Sequence, residues 1–318
     1  MQSSTSSEEL LAGLFTLLAD THRIIAPLQG EDGAVRLGAV SDSASIVPGA
    51  QTLLPLKKYL LPCHDTVWRN EPGIFPVPPG DLPLAVLAIP PCEAHALTLL
   101  DLTFHDDPDY RRRRAGLLVV AAHCTPQQDC HCLVPDNFSC DLLLSGHRLW
   151  ARSRPGAKLL QQFHSGDEMT TSAPPDDLLP PRIRLPQNLR APFTALEEDP
   201  LWDEPAATCL ACGACSAVCP TCACYDLRDQ ALPGAAPRRE RQWDNCLFSN
   251  FAQVAGGHDF RPGLGPRLKF RMRHKLLGFG DQQGTLSCVG CGRCARHCPV
   301  GIGPQPLLNR LQQRGALS

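Results

Sequence analysis

The stretch CLACGACSAVCPTCACYD, residues 209–226, places six cysteines in eighteen positions. Four of them, Cys209, Cys212, Cys215 and Cys219, followed by Pro220, form the run C-x2-C-x2-C-x3-C-P. The run returns at Cys288, Cys291, Cys294 and Cys298, followed by Pro299. Written twice, it is the bacterial ferredoxin pattern for two 4Fe–4S clusters. Two-residue gaps let three thiolates wrap one face of a cubane, and the fourth cysteine serves the other cluster. The spacing therefore assigns cluster 1 to Cys209, Cys212, Cys215 and Cys298, and cluster 2 to Cys288, Cys291, Cys294 and Cys219. Each proline stops the turn or helix that carries the ligands. Zinc is the competing reading, but it is usually held by two C-x2-C pairs, and neither run has that form.

The rest of the chain agrees with a metal reading. It has 318 residues, 17 of them cysteine, and a formal net charge of -2. That charge argues against nucleic acid, whose phosphates call for a basic surface. No apolar run approaches the roughly 18–20 residues of a membrane span. The start, MQSSTSSEELLAGL, lacks the basic region and cleavage site of a signal peptide. The expected location is the cytoplasm, where thiols stay reduced, so dense cysteine points to metal rather than to disulfides.

Upstream, Ser6 and Glu9 have the spacing of a capping box, and Leu10, Leu11, Leu14, Leu17 and Leu18 recur at helical spacing. Residues 7–20 are thus expected to be a helix. Strand-length apolar runs follow at 23–28, 34–40, 84–89, 117–122 and 141–146. A helical pattern at 92–104 lies between two of them, a β-α-β unit with neighbouring parallel strands. From about 165 to 205 the chain reads as a linker, with five prolines in the sixteen residues SAPPDDLLPPRIRLPQ. The expected fold is α+β: an α/β-like N-terminal domain with a mixed or parallel sheet over 1–195, then a mainly helical dicluster ferredoxin domain over 196–318. The long separation of the two runs favours the helical, SDH-like ferredoxin type.

A third cysteine group lies in the first domain. Cys92 follows the run at 84–89 and Cys124 the run at 117–122, with Cys130 and Cys132 just beyond in CTPQQDCHC. Parallel neighbouring strands, about 4.8 Å apart, would release both first thiols at one sheet edge, where such folds place ligands. The four cysteines are candidates for a third 4Fe–4S cluster; inert thiols or a small zinc site are the alternatives. His131, between two of them, is the histidine to watch. Arg111 to Arg114 read as a solvated or partner-facing surface, and Cys63 and Cys140 as ordinary buried cysteines.

The C-terminal half resembles the iron–sulfur beta subunits of soluble NAD(P)-linked nickel–iron hydrogenases (sulfhydrogenases) and the A subunit of anaerobic sulfite reductase. The resemblance rests on residues 209–226, on RERQWDNCLFSNFAQVAGGHDFRP (239–262), RMRHKLLGF (271–279) and CVGCGRCARHCPVGI (288–302). LPLKKYLLP (54–62), PPCEAHALTLLD (90–101), DPDYRRRR (107–114) and the C…CHC group extend it through most of the chain. It implies an electron-transfer subunit beside a flavin/NAD(P)-binding subunit and a catalytic redox subunit of hydrogenase or sulfite reductase type, and it strengthens the third-cluster reading. Pro91 and Glu93 stand where that family leads one to expect an arginine and an aspartate. Cys222, Cys224 and Cys246 belong to the matched text; they stay open between a structural role, alternative ligands and one side of a further metal site.

No G-x-G-x-x-G, P-loop, H-E-x-x-H or G-x-S-x-G is present, so no catalytic residue is assigned. The sequence reads as a relay of single electrons. Two rival readings are a subunit that itself reduces sulfur or disulfide substrates at an extra cysteine-ligated centre, and a redox-sensing scaffold.

Overall fold

The computed structural model describes residues 6–69, 82–163, 169–170, 189–231, 233–234, 236–278 and 286–313. The proline-rich stretch 172–187 lies outside them. Among the described residues the strands are β1 (Arg23–Gln29), β2 (Val35–Ala39), β3 (His64–Arg69), β4 (Leu84–Ile89), β5 (Leu118–Ala122), β6 (Leu142–Ser145), β7 (Arg148–Ala151), β8 (Met169–Thr170), β9 (Tyr225–Gln230) and β10 (Arg238–Trp243). The chain divides into two compact units. One spans Met1–Leu61, Glu71–Pro126 and Val134–Pro181; the other spans Pro62–Asn70, Gln127–Leu133 and Arg182–Ser318.

The first unit holds a mixed sheet in the order β2-β1-β4-β5-β6-β7-β8. Strands β1, β4, β5 and β6 run parallel, and β2 and β7 pair antiparallel on either side of that group. All residues of β4 and β5 are buried, as central parallel strands require. The β-α-β unit is present, its helix running Pro91–Thr103. The first helix, Ser7–Leu18, begins with the expected box: the Ser6 N–H donates to Glu9 Oε2 at 2.7 Å and the Glu9 N–H to Ser6 Oγ at 3.2 Å. Its Leu10, Leu11, Leu14 and Leu18 enter the core with residues of β1, β4, β5 and β6.

One irregularity lies just before Cys92. The β4–β5 register breaks between Val86 and Ile89, and Ala88 is left-handed at φ 57°. That conformation costs an alanine about 1–2 kcal/mol. It turns the Ala88 carbonyl to accept the Gly49 N–H at 2.9 Å, just before Pro90, Pro91 and Cys92.

The second unit is helix-rich, as expected, and adds an antiparallel sheet, β3-β10-β9, that the sequence did not announce. Its strands are polar; Arg239 pairs with Asp229 across β9 and β10 at 2.6 Å, and Arg241 with Asp65 across β10 and β3 at 3.2 Å. Cys63, expected to be buried, is exposed, because it sits just before the edge strand β3. Cys140 is buried, and burial pushes its thiol up to about 12. Residues 189–205, expected as linker, are largely helical: Leu189, Phe193, Leu196 and Trp202 join a core with Met272, Leu276 and Leu311. The Arg111 to Arg114 tract closes the helix Pro108–Arg114, where Arg114 and Arg112 bind Asp101 and Asp109.

Packing rather than capping holds the first helix. Leu14 is fully buried, so Leu14→Ala should cost about 3 kcal/mol, against about 1 kcal/mol for Ser6→Ala through the lost cap. Urea unfolding of both variants measures the difference. Equal losses would mean that the cap holds the helix as much as its packing does.

Candidate metal centres

The two cysteine runs fold into the same local shape. In the first, Ala211 and Gly213 are left-handed (φ 50° and 79°), the Ala211 N–H donates to Cys209 Sγ at 3.4 Å, and a short helix, Ala214–Ala217, carries Cys215. In the second, Gly290 and Gly292 are left-handed (φ 69° and 72°), the Gly290 N–H donates to Cys288 Sγ at 3.4 Å, and the helix Arg293–Arg296 carries Cys294. Amide donors aimed at sulfur favour the thiolate over the thiol. The two short helices pack on one another.

Cys209, Cys212, Cys215 and Cys298 line one small concave space, partly open to solvent. Three come from the first run and one from the second. On the other side, Cys288, Cys291 and Cys294 stand close enough for each charged neighbour to raise the Cys294 thiol. Lys275 lies within electrostatic range of both Cys219 and Cys288. Thr221 links these two: its hydroxyl lies 3.4 Å from Cys219 Sγ and donates to the Ser287 carbonyl at 2.6 Å. Burial pushes Cys294 up to about 12 and Cys288 up to about 11, with Arg271 and Lys275 respectively pulling the other way.

The helix Leu264–Leu277 supplies those cations. Arg271 and Lys275 are one turn apart and buried. Arg271 donates to Ser216 Oγ at 2.9 Å, to the Cys215 carbonyl at 2.9 Å and to Cys222 Sγ at 3.4 Å. Lys275 donates to Thr221 Oγ1 at 2.8 Å and to the Ser287 carbonyl at 3.2 Å. Burial opposes both charges, but the surrounding thiolates outweigh it, so each pKa moves up. Arg293, inside the second run, is also buried. These cations were missed in the sequence. The available signal was a four-residue repeat, Arg267, Arg271 and Lys275, interleaved with the apolar Leu268, Met272 and Leu276.

Cys222, Cys224 and Cys246 lie next to thiols of the two runs or to one another. Cys222 exchanges a hydrogen bond with Cys219, and Cys246 with Cys224. That contact raises the Cys246 thiol and lowers Cys224. Cys246 also packs with Leu247 and Leu268, against Cys209 and Cys215.

The third group is divided between the two compact units. Cys92 sits in the first turn of Pro91–Thr103 and Cys124 follows β5; β4 and β5 are parallel neighbours, so both thiols leave the same sheet edge. Glu93, where an aspartate was expected, is buried and accepts the Leu56 N–H at 2.9 Å. It thereby ties two segments of the matched text. Cys130 and Cys132 lie in the segment 127–133, which is seated on the second cysteine run. There His131 N–H donates to the Gly290 carbonyl at 2.9 Å, Leu133 N–H to the Val289 carbonyl at 3.2 Å, and Cys130 Sγ to the Cys291 carbonyl at 3.4 Å. His131 Nε2 stands 3.9 Å from Cys288 Sγ, and burial lowers its pKa.

The donor set fits 4Fe–4S clusters: four thiols ringing one space, amides directed at sulfur, and buried cations to offset an anionic centre. Among the described residues, no three His, Cys, Asp or Glu side chains close on a point suited to a single metal ion.

The seat of the 127–133 segment can be tested at Gly292. A Cβ there would collide with the Asp129 carbonyl oxygen, whereas Gly301, also left-handed at φ 69°, has open space. Gly301→Ala should cost only the backbone strain, about 1–2 kcal/mol. Gly292→Ala should add about 1–3 kcal/mol of overpacking. Thermal melting should show the larger drop for Gly292→Ala; equal drops would mean that the segment does not press on the run.

Residues 208–302 match a family model described as a 4Fe-4S dicluster domain. The whole chain is 26% identical over 330 residues to sulfhydrogenase 2 subunit beta of Pyrococcus furiosus, covering 96% of this chain and 97% of that protein. No solved structure matches the chain. The chain is thus similar along nearly its whole length to a sulfhydrogenase beta subunit, and its two cysteine runs lie where the dicluster model matches.

Proposed function

We propose that this chain is the electron-relay subunit of a cytoplasmic multisubunit oxidoreductase. It passes single electrons between a flavin/NAD(P)-binding subunit and a catalytic module of hydrogenase or sulfite/sulfur-reducing type. The observation that carries the reading is the ring of Cys209, Cys212, Cys215 and Cys298, drawn from both runs around one space. Cys288, Cys291, Cys294 and Cys219 make the second ligand set. Bound clusters supply one-electron chemistry, with no acid or base needed. The chain's own part is to hold the thiolates, exclude water from the second site, and set the local charge through Arg271 and Lys275. Among the described residues no helix is long and apolar enough to cross a membrane.

A third cluster at Cys92, Cys124, Cys130 and Cys132 belongs to the same proposal. Its support is the shared sheet edge of Cys92 and Cys124. Cys222, Cys224 and Cys246 act as structural thiols.

The relay is tested in the purified complex with its partner subunits. Cys298→Ser should stop electron flow from the nicotinamide side while the catalytic subunit still turns over with an artificial donor. Unchanged flow would refute the relay. Crossed ligation makes a separate prediction for reduced samples of the isolated chain. Cys219→Ser should perturb the paramagnetic signal of the second run's cluster, and Cys298→Ser that of the first. Damage confined to the run bearing each substitution would overturn the pairing.

Iron counting addresses the third site. The anaerobically prepared chain should hold about twelve iron atoms, falling to about eight in a Cys92→Ser/Cys124→Ser variant. A wild-type value of about eight, unchanged in that variant, would remove the third cluster and leave the other two standing.

A further inference from the structure

The helix Leu264–Leu277 has a second working face. Opposite Arg271 and Lys275, its Lys269, Phe270, Arg273 and His274 line a cavity of about 540 Å³, open to solvent and flanked by Arg261, Glu197 and Glu198 among others. That volume lies in the range of about 300–1,000 Å³ usual for small-molecule sites. None of the cysteine ligands lines it, and neither cysteine run accounts for it.

Its chemistry falls into three parts. The first is an aromatic platform: the Arg261 guanidinium lies 3.7 Å from the Phe270 ring centroid, and the His274 ring, tilted by 49°, has its centroid 4.0 Å from that of Phe270. An aromatic ring with a guanidinium over its face is a surface on which a second planar ring can stack. The second part is cationic. Lys269 stands 3.8 Å from Glu198, and Arg273 stands 3.8 Å from Glu197. Both separations are longer than a hydrogen bond, and the Glu198 side chain is 94% exposed, so the Lys269–Glu198 pair is one that an incoming phosphate can compete with. The third part is those carboxylates themselves, which are suited to accept hydrogen bonds from ribose hydroxyls, as acidic residues do in dinucleotide sites.

We propose that this cavity binds a nucleotide, its base on the Arg261–Phe270 stack, its ribose at Glu197 or Glu198, and its phosphate between Lys269 and Arg273. A bare anion would leave the aromatic stack unused. An apolar ligand would have to desolvate five charged side chains. An acidic peptide would meet two carboxylates of its own sign. The cavity is one helix away from the thiols: His274 is adjacent to Lys275 and within electrostatic range of Cys222. A nucleotide there would sit beside the same helix that charges the cluster sites. The inference does not depend on the relay reading, because it rests on residues outside both ligand sets.

The experiment is calorimetric titration of the full, anaerobically prepared chain with ADP, with inorganic phosphate as the comparison. ADP should bind at least about tenfold more tightly than phosphate, and Lys269→Ala/Arg273→Ala should weaken ADP by about tenfold or more. Phe270→Leu should weaken ADP and leave phosphate unchanged. Iron content should stay at the wild-type value in each variant, which separates this site from the cluster sites. Absence of ADP binding to the wild-type chain, equal affinity for phosphate, or unchanged ADP affinity in the double variant would overturn the proposal. So would tighter binding of a glutamate-rich peptide than of ADP.

Discussion

Two buried cations sit among the thiols of both cysteine runs, and most of the second unit is arranged to make that tolerable. Moving an ammonium or a guanidinium out of water costs several kcal/mol even after relaxation. Arg271 and Lys275 are nonetheless buried, four residues apart on one helix. Carbonyls and hydroxyls of residues 215–221 and of Ser287 take up their donors, but neutral acceptors alone do not offset two charges. Thiolates, and the anionic clusters they would hold, supply the missing negative charge. The cations and the ligand sets are thus each other's condition for being buried. Removing either leaves the other uncompensated.

That dependence explains why helix Leu264–Leu277 is fastened so firmly. Leu268 packs against Cys246 and Leu247, beside Cys209 and Cys215. Met272 and Leu276 join the core built by Leu189, Phe193, Trp202 and Leu311. Arg267 donates to the Ser249 carbonyl and to Asp259, which fixes the start of the helix to the segment between the two runs. Apolar burial on both sides of each cation excludes water, and exclusion of water strengthens the attraction between cation and thiolate. The left-handed residues of the two runs then need little further support, because each loop is closed by amides that bind its first sulfur.

Much of this was readable in the sequence, for stated physical reasons. Strands β1, β2, β4, β5 and β6 were visible because buried parallel or flanking strands must be continuous apolar runs; the structure moves their ends by only a residue or so. Ser6 and Glu9 announced the first helix through cap chemistry that is local. Strands β3, β9 and β10 were hidden because their cross-strand partners are charged, so no apolar alternation marks them. Residues 189–205 were hidden because proline-rich composition there outweighed the scattered Leu189, Phe193 and Trp202. At the site, cysteine spacing was sufficient to group Cys209, Cys212, Cys215 and Cys298, which line one space in the structure, since spacing limits which thiols can reach one cubane. The burial of Arg271 and Lys275 was not legible, because a hydropathy pattern counts them as surface residues. Nor was the seat of Cys130 on the second run, which depends on backbone hydrogen bonds between segments far apart in sequence.

The central claim is that buried positive charge and cluster ligation are coupled. Potentiometric titration of the reconstituted chain, followed by paramagnetic resonance, tests it most directly in Lys275→Gln, a change that keeps an amide donor for Thr221 and Ser287. Two unit charges about 7 Å apart at an effective dielectric of about 20 interact by about 2.4 kcal/mol. Converted at 59 mV per tenfold change for one electron, that lowers a midpoint potential by about 100 mV. The account predicts a fall of that order in the cluster served by Cys219 and Cys288, with a smaller change in the other. Unchanged potentials in both clusters, at full iron content, would contradict it.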